Sequence, residues 1–513
     1  MFRFSALEKI GGLPQPWNAC VSGGALFYPT CFCRSPMKFL FFPSCIVFVF
    51  CADFLSVAYS QDFQAGAAAI ETTPEVFPVR LRSGKSHLVH DPLHARAVAF
   101  QNGEGRAVIA LIDAIGIGRD ETDEVKRQAA EITGWNPDEI LISATHSHTT
   151  PSAGGDDPGS VAYKEKRFNG MLTAITAAVA NLEPASVGFG SHDEPSEVRN
   201  RRWHMEAGEM PPNPFGEFDE VKMNPGFNHL IKPAGPVDPA VSVIDVRTRG
   251  GRPLGLVANY ALHYVTGVPR QIVDGREMGM ASADYFGEFA RVMPYRLGGA
   301  KPSKGFVAMM TNGASGDINN NPFGIARAPR APFEQVRIVA SKAADAAWEA
   351  TRDLEYDDDP LIATRQREVP LTYRTVTRNQ VVRAEATLEA IKEEGEEAFP
   401  KKAAQYARQV LNFEEARPPE PILIQAIRIG DQAIVALPFE VLVEIGLELK
   451  AKSPFDHTIV VGLANGSYGY LPPPNQHVLG GYETWIGTSR FVPQSSVELV
   501  ENLFEMLDEL HAL

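Results

Sequence analysis

The amino-acid sequence predicts an α/β fold, a large mixed β-sheet domain flanked by helices, with its site at the carboxyl ends of strands. Three observations predict it. Short apolar runs recur along the chain, each followed at once by a polar, Gly-rich or His-bearing turn. Helix-periodic stretches alternate with them, and no internal repeat, low-complexity tract or Pro- or Ser-rich linker divides the chain. Strands and helices in mixed order point to a mixed sheet within one body.

The strands are 105–113 (GRAVIALID), 139–144 (EILISA), 254–260 (LGLVANY), 305–310 (GFVAMM), 432–437 (QAIVAL) and 458–463 (TIVVGL). They are short and mostly rich in β-branched or aromatic residues, which marks buried strands. Residues 422–428 and 432–437, joined by Gly430-Asp431, read as a hairpin. Helical periodicity predicts helices over 121–133, capped by Asp120, over 160–182, over 333–353, and over 379–414 with a break near Pro400. The C-terminal helix runs from Ser495 to Leu513 and opens on Ser495-Ser496-Val497-Glu498, a capping-box pattern. The charged segment 377–418 reads as a helical excursion from the main body.

The chain of 513 residues has a net charge of -15 and 44% hydrophobic residues. That is ample for a large core, and the acidic balance argues against nucleic acid, whose phosphates are bound by Lys and Arg patches. Residues 1–60 read as a leader. Lys38 follows Met37, an apolar run extends from Phe39 to Val57, and small residues precede Gln61, the pattern of a secretory signal starting at Met37. Pro43 and Asp53 interrupt the run, which disfavours a permanent span. All five cysteines (Cys20, Cys31, Cys33, Cys45 and Cys51) lie in this leader. Removing it takes away four basic and two acidic residues, leaving 44 basic against 61 acidic, net -17. The expected mature protein, 61–513, is an exported, acidic, cysteine-free domain, periplasmic or secreted.

The turns that follow the strands carry the polar groups: His146 and His148, then His263-Tyr264, Asn312-Gly313-Ala314-Ser315-Gly316-Asp317, Glu440, and Tyr470. Ligands gather at strand carboxyl ends because the loops there converge. On an extended segment His146 and His148 would point to one face, about 6–7 Å apart, and can lean toward one ion. They can equally be core-edge histidines with satisfied hydrogen bonds. Glu440 sits among apolar neighbours, so its carboxylate must be paired, hydrogen-bonded or bound to a cation. Two His and one Glu supply a catalytic zinc set with a position left for water. By default Tyr470 and Tyr482 are core or rim aromatics. The chain has no H-E-x-x-H, no G-x-S-x-G and no phosphate-binding G-x-x-x-x-G-K-[ST]. Ser315 is the nearest to a nucleophilic serine, though the 313–317 segment reads better as a Gly-rich loop bringing backbone amides to a bound group.

The ordered set Ala144-Thr145-His146-Ser147-His148-Thr149-Thr150-Pro151, Asn200-Arg201, His263, Asn312 to Asp317, Pro438-Phe439-Glu440, and Tyr470 with Tyr482-Glu483 resembles the neutral, non-lysosomal ceramidases, and does so over about residues 64–490. The resemblance implies a large mixed α/β domain that hydrolyses the amide of an N-acylsphingosine with zinc. It implies His146, His263, Glu440 and Tyr470 as zinc ligands, His148 beside the substrate as acid–base group, Tyr482 at the scissile carbonyl, and Arg201 (less securely Arg199) in the active site. Asn319 stands where the family has a serine near the substrate, and the loop Tyr470-Leu471-Pro472-Pro473-Pro474 lacks the family's threonines. The chain ends soon after Tyr482, so the family's C-terminal β-sandwich is expected to be absent. The expected partner is an N-acyl amide or lipid substrate. Two rival readings are a serine-type hydrolase using Ser315 and a non-catalytic lipid-binding homologue.

Overall fold

A computed structural model describes residues 63–265, 268–298, 305–413 and 417–513. The expected leader, 1–60, lies outside them. The strands that build the body are β1 (Gln64–Glu71), β2 (His94–Asn102), β3 (Gly105–Ile112), β4 (Ile140–Ala144), β5 (Glu183–Asp193), β6 (Ala240–Thr248), β7 (Pro253–Tyr260) and β8 (Val307–Asn312), followed by β9 (Ile362–Leu371), β10 (Glu420–Ile429), β11 (Gln432–Ala436) and β12 (His457–Val461). The helices are α1 (Arg119–Thr133), α2 (Pro158–Ala180), α3 (Asp284–Gly298), α4 (Glu334–Ala350), α5 (Arg378–Glu394), α6 (Ala403–Asn412), α7 (Val443–Lys452) and α8 (Ser495–His511).

The large sheet runs β8-β7-β6-β5-β1-β2-β3-β4, with the short strand Tyr356–Asp357 paired to β5. It is mixed, as expected: β7–β8 and β3–β4 are parallel, and their neighbours antiparallel. A second sheet, β9-β10-β11-β12, has one parallel pair, β11–β12. Side chains alternate along each strand, so each sheet buries two faces. In β3, Ala107, Ile109 and Leu111 face the second sheet, sharing one core with Ile427, Ile434 and Ile459. Val108, Ala110 and Ile112 face α1 and α2 through Val125, Ala129, Met171 and Ile175. At the other end of the large sheet, Leu256, Ala258 and Met310 meet α3 and α4. The outer face of the second sheet (Ala433, Val435 and Val460) meets α7 and α8 through Ile445, Leu449, Leu503 and Leu507. The result is four layers, helices–sheet–sheet–helices. Each fully buried Val, Ile or Leu contributes about 1.5–3 kcal/mol.

The strands and helices read from the sequence fall where expected, and Gly430 takes the positive φ (59°) of the β10–β11 turn. The second sheet was not expected as a separate layer. Two caps differ. Gly118 precedes α1, with Asp120 inside the first turn, where its charge suits the helix dipole. Gln494 precedes α8 with no side-chain cap, and the Ser496 hydroxyl donates to the Pro493 carbonyl. The charged excursion folds as α5 and α6, packed together through Ala384, Ala407 and Val410. Among the described residues no helix is long and apolar enough to cross a membrane.

Candidate metal centre

Strands β4 and β8 are opposite edges of the large sheet, yet the segment after β12 joins them. The Ala144 amide donates to Leu463 O (3.2 Å), Asn465 N to Ile142 O (2.8 Å) and Gly462 N to Asn312 O (2.9 Å). The fully buried Asn465 also accepts from Ile142 N and donates to Gln425, tying β4 to β10. The sheet therefore curls until the loops after β4, β7, β8, β11 and β12 meet at one place. There the short strand Glu440–Val441 pairs in parallel with Tyr470–Leu471, and Glu440 and Tyr470 are direct register partners.

Three histidines converge at that place. One ring nitrogen from each of His146, His148 and His263 lies within 4.8 Å of the other two. The His146 and His263 rings meet edge to face, with centroids 4.5 Å apart. The Glu440 Oε2 atom is 3.2 Å from His146 Nε2 and 3.7 Å from His263 Nε2. Both Glu440 Oε2 and His263 Nε2 are buried without a hydrogen-bond partner. Buried polar atoms are nearly always satisfied, so two orphans facing one point are the donor pattern of a cation site.

Hydrogen bonds to the far side of each ring assign the roles. His146 Nδ1 meets Ile115 O at 2.6 Å and His263 Nδ1 meets Ser315 O at 3.0 Å. A carbonyl only accepts, so both rings carry their proton on Nδ1 and turn an Nε2 lone pair inward. His148 is the opposite case. Its Nδ1 lies 3.2 Å from an Arg82 guanidinium nitrogen. Arginine only donates, so the neutral His148 ring keeps its proton on Nε2, which lies 3.1 Å from His146 Nε2. His146, His263 and Glu440 are thus presented as ligands, and His148 as a proton donor. Tyr264 stacks on the His148 ring (centroids 3.7 Å) and holds its plane.

Tyr470 completes the set as the register partner of Glu440, and its hydroxyl accepts from Arg201 at 2.9 Å. Burial pushes the Tyr470 phenol well above its usual range, with Arg201 opposing that shift. Burial also works against the Glu440 carboxylate, but His146, Tyr470 and Arg201 outweigh it and hold its pKa below the usual value. His263 is driven well below the usual imidazole range by burial and then by His146. His148 is also pushed far down, by burial, His146 and Arg82. Both rings are therefore neutral, the form that metal ligation and hydrogen-bond donation require. The residues present fit a zinc-type ion: imidazole nitrogens, a carboxylate and a phenol.

The surrounding charges are paired. Arg201 Nε donates to Glu483 Oε1 (2.8 Å), and Arg202 donates to Glu483 Oε2 (2.7 Å). All three are buried. Tyr482, beside Glu483, sets its half-buried ring edge-on to Tyr470 at 5.5 Å. The structure thus brings together His146, His148, His263, Glu440, Tyr470, Arg201 and Tyr482. Asn319 makes its hydrogen bonds outside this set, its amide donating to Asn224 and accepting from Asn321 N. Arg199, the less secure arginine, pairs through its backbone with Asn319.

Three expectations are corrected. His146 is not extended: its φ is +66°, a left-handed turn that costs a non-glycine residue about 1–2 kcal/mol. That turn lets the two rings meet at one point in place of lying side by side along a strand. Ser315 is not built as a nucleophile, since its buried hydroxyl donates to Asn312 Oδ1 (2.7 Å) and His263 reaches its carbonyl instead. The Gly-rich loop serves close packing. A Cβ on Gly316 would lie 2.7 Å from the Glu440 carbonyl oxygen, and one on Gly313 3.0 Å from Ala261. Arg82, on the turn between the short strands Val79–Leu81 and Gly84–Ser86, joins the site without any signal in the sequence. Arg202 was not singled out from the sequence and Glu483 was named only beside Tyr482; the Arg201-Arg202 doublet was the available signal, because buried charges require partners.

No protein-family model and no curated protein sequence matches the chain. Solved structures do. The neutral ceramidase from Pseudomonas aeruginosa is 17% identical at TM-score 0.62, covering 88% of this chain and 74% of that one. A ceramidase complexed with C2 gives the same identity and TM-score over 88% of this chain and 76% of its own. The chain has a neutral-ceramidase-like fold.

Proposed function

We propose that the chain is a metal-dependent amide hydrolase of ceramidase type, cleaving an N-acyl amide to a fatty acid and an amine. One observation carries the reading. His263 Nε2 and Glu440 Oε2 are buried, unpartnered and turned toward His146 Nε2, on a fold shared with ceramidases. His146, His263, Glu440 and Tyr470 would hold zinc. When bound, zinc supplies Lewis acidity, polarising the amide carbonyl and acidifying water.

The remaining steps belong to side chains. Tyr482 offers a phenol proton to the carbonyl oxygen as negative charge develops there, and burial keeps that phenol protonated. The proton given up by the attacking water passes to the departing nitrogen, which His148 orients through its Nε2–H, so that the ring stays neutral and the amine leaves protonated. Arg201 holds the Tyr470 oxygen and is itself fixed by Glu483. Buried tyrosine and histidine neighbours exclude water from these bonds.

The test is a hydrolysis panel of N-acyl amides, ceramide included, with and without chelator. Activity lost on chelation and restored by zinc, with a His146→Ala variant inactive, supports the reading. Full activity in His146→Ala would overturn it. Export to a periplasmic or extracellular space is part of the same proposal, checked by sequencing the N-terminus of the secreted protein.

A further inference from the structure

Two cations stand at the reactive groups without carboxylate partners. Arg82 uses one of its five N–H groups on His148. Lys402, the residue before α6, holds its ammonium 5.1 Å from the centre of the Tyr482 ring. Neither takes part in any ion pair among the described residues, although acidic residues outnumber basic ones by 63 to 48 in the whole chain. Elsewhere in the site the guanidiniums of Arg201 and Arg202 both form ion pairs with Glu483. Lys402 also keeps a left-handed backbone (φ 68°), an unfavourable conformation for a lysine. Burial lowers the Lys402 pKa, and the positive charge of Arg82 lowers it further. Such a pair, partly solvated and mutually repelling, is relieved by an anion between its members.

The side on which they stand identifies the anion. Arg82 binds the ring that orients the leaving nitrogen, and Lys402 lies over the ring of the tyrosine at the carbonyl. We propose that Arg82 and Lys402 recognise an anionic group on the amine fragment, making N-acyl amides with a carboxylate, sulfonate or phosphate near the scissile nitrogen the preferred substrates. The inference rests on the hydrolase reading above and deepens it. Arginine would engage such a group through a paired fork of N–H bonds, and lysine as a point charge.

The test compares N-dodecanoylglycine with its neutral analogue N-dodecanoylglycinamide. Wild-type kcat/KM is expected to favour the anion by about tenfold or more, the scale of one charge-assisted hydrogen bond. Lys402→Gln is expected to reduce that ratio about tenfold, Arg82→Gln likewise, with partial rescue in Arg82→Lys, and the preference should narrow as salt is raised. Because Arg82 also holds His148, Lys402→Gln carries the test of charge alone. A ratio near one, or unchanged in both Gln variants, overturns the proposal while leaving amide hydrolysis intact. Laurate inhibition weakening tenfold at a constant ratio would assign the cations to the acid product and also overturn it. Calorimetric binding of the two compounds, read without turnover, separates the other failure: a preference in Kd with no cleavage upholds the anion site and refutes the hydrolase reading.

Discussion

Gly316→Ala is the substitution whose effect follows most directly from the structure. Its Cβ would lie 2.7 Å from the Glu440 carbonyl oxygen and 3.0 Å from that of Val441. The first is about 0.7 Å short of an ordinary 3.4 Å contact. Neither neighbour is a flexible side-chain end. Both are backbone of the short strand that carries Glu440, and the Gly316 amide is bonded to Val441 O at 2.7 Å. The strand must therefore shift by several tenths of an ångström, taking the Glu440 carboxylate away from His146 and His263. Overpacking of this kind costs about 1–3 kcal/mol of stability. A misplacement approaching 1 Å costs about 100-fold in catalysis. The expected variant is folded, binds zinc about 10- to 100-fold more weakly, and loses a similar factor in kcat/KM. Zinc affinity is read by competition with a chromophoric chelator, and integrity by circular dichroism. Wild-type affinity and activity in Gly316→Ala would refute the claim that this glycine sets the position of Glu440.

Three further outcomes follow from the site and its surroundings. Tyr482→Phe should keep zinc at the wild-type level but lower kcat by about 100- to 1000-fold, the usual loss of an oxyanion donor; steady-state kinetics with metal analysis checks it. Glu483→Ala leaves the buried Arg201 and Arg202 without their counter-charge and should destabilise the fold by about 3–5 kcal/mol, read as a lowered denaturation midpoint. Asp284 is fully buried, one of its oxygens has no partner, and burial raises its pKa from 3.8 to about 7. Because the folded state keeps this proton while the unfolded chain has lost it, stability falls as pH rises from about 4 to 7. Asp284→Asn, which preserves the acceptor for Val265 N and Tyr285 N, should flatten that slope in urea titrations across the window.

Much of this was legible in the sequence, for a physical reason. A strand buried on both faces must be apolar throughout, so runs such as 139–144 and 254–260 stand out, and the polar residues that end them are conspicuous. His146, His263 and Glu440 were visible in this way. What was hidden depends on contacts across long separations. Nothing local shows that Glu440 and Tyr470 are register partners, or that the two edges of the large sheet meet at Gly462 and Asn465. The second sheet was hidden too, because β10 to β12 follow the same apolar rule as the strands of the first, while β9, polar from Thr364 to Glu368, does not stand out at all. The left-handed turn at His146 runs against local preference and is imposed by the convergence around it. Arg82 sits on an exposed turn with no sequence signature, and only the distance to His148 identifies it.

The division of labour among the histidines is the central claim: two of the three are ligands, and the third is kept protonated on Nε2 by Arg82. X-ray absorption at the zinc edge of the purified chain tests it most directly, since multiple scattering counts coordinated imidazoles. The expected result is one zinc per chain with two imidazole nitrogens and two oxygens, and an unchanged spectrum in His148→Ala. Three imidazoles, or a spectrum altered by that substitution, would contradict it.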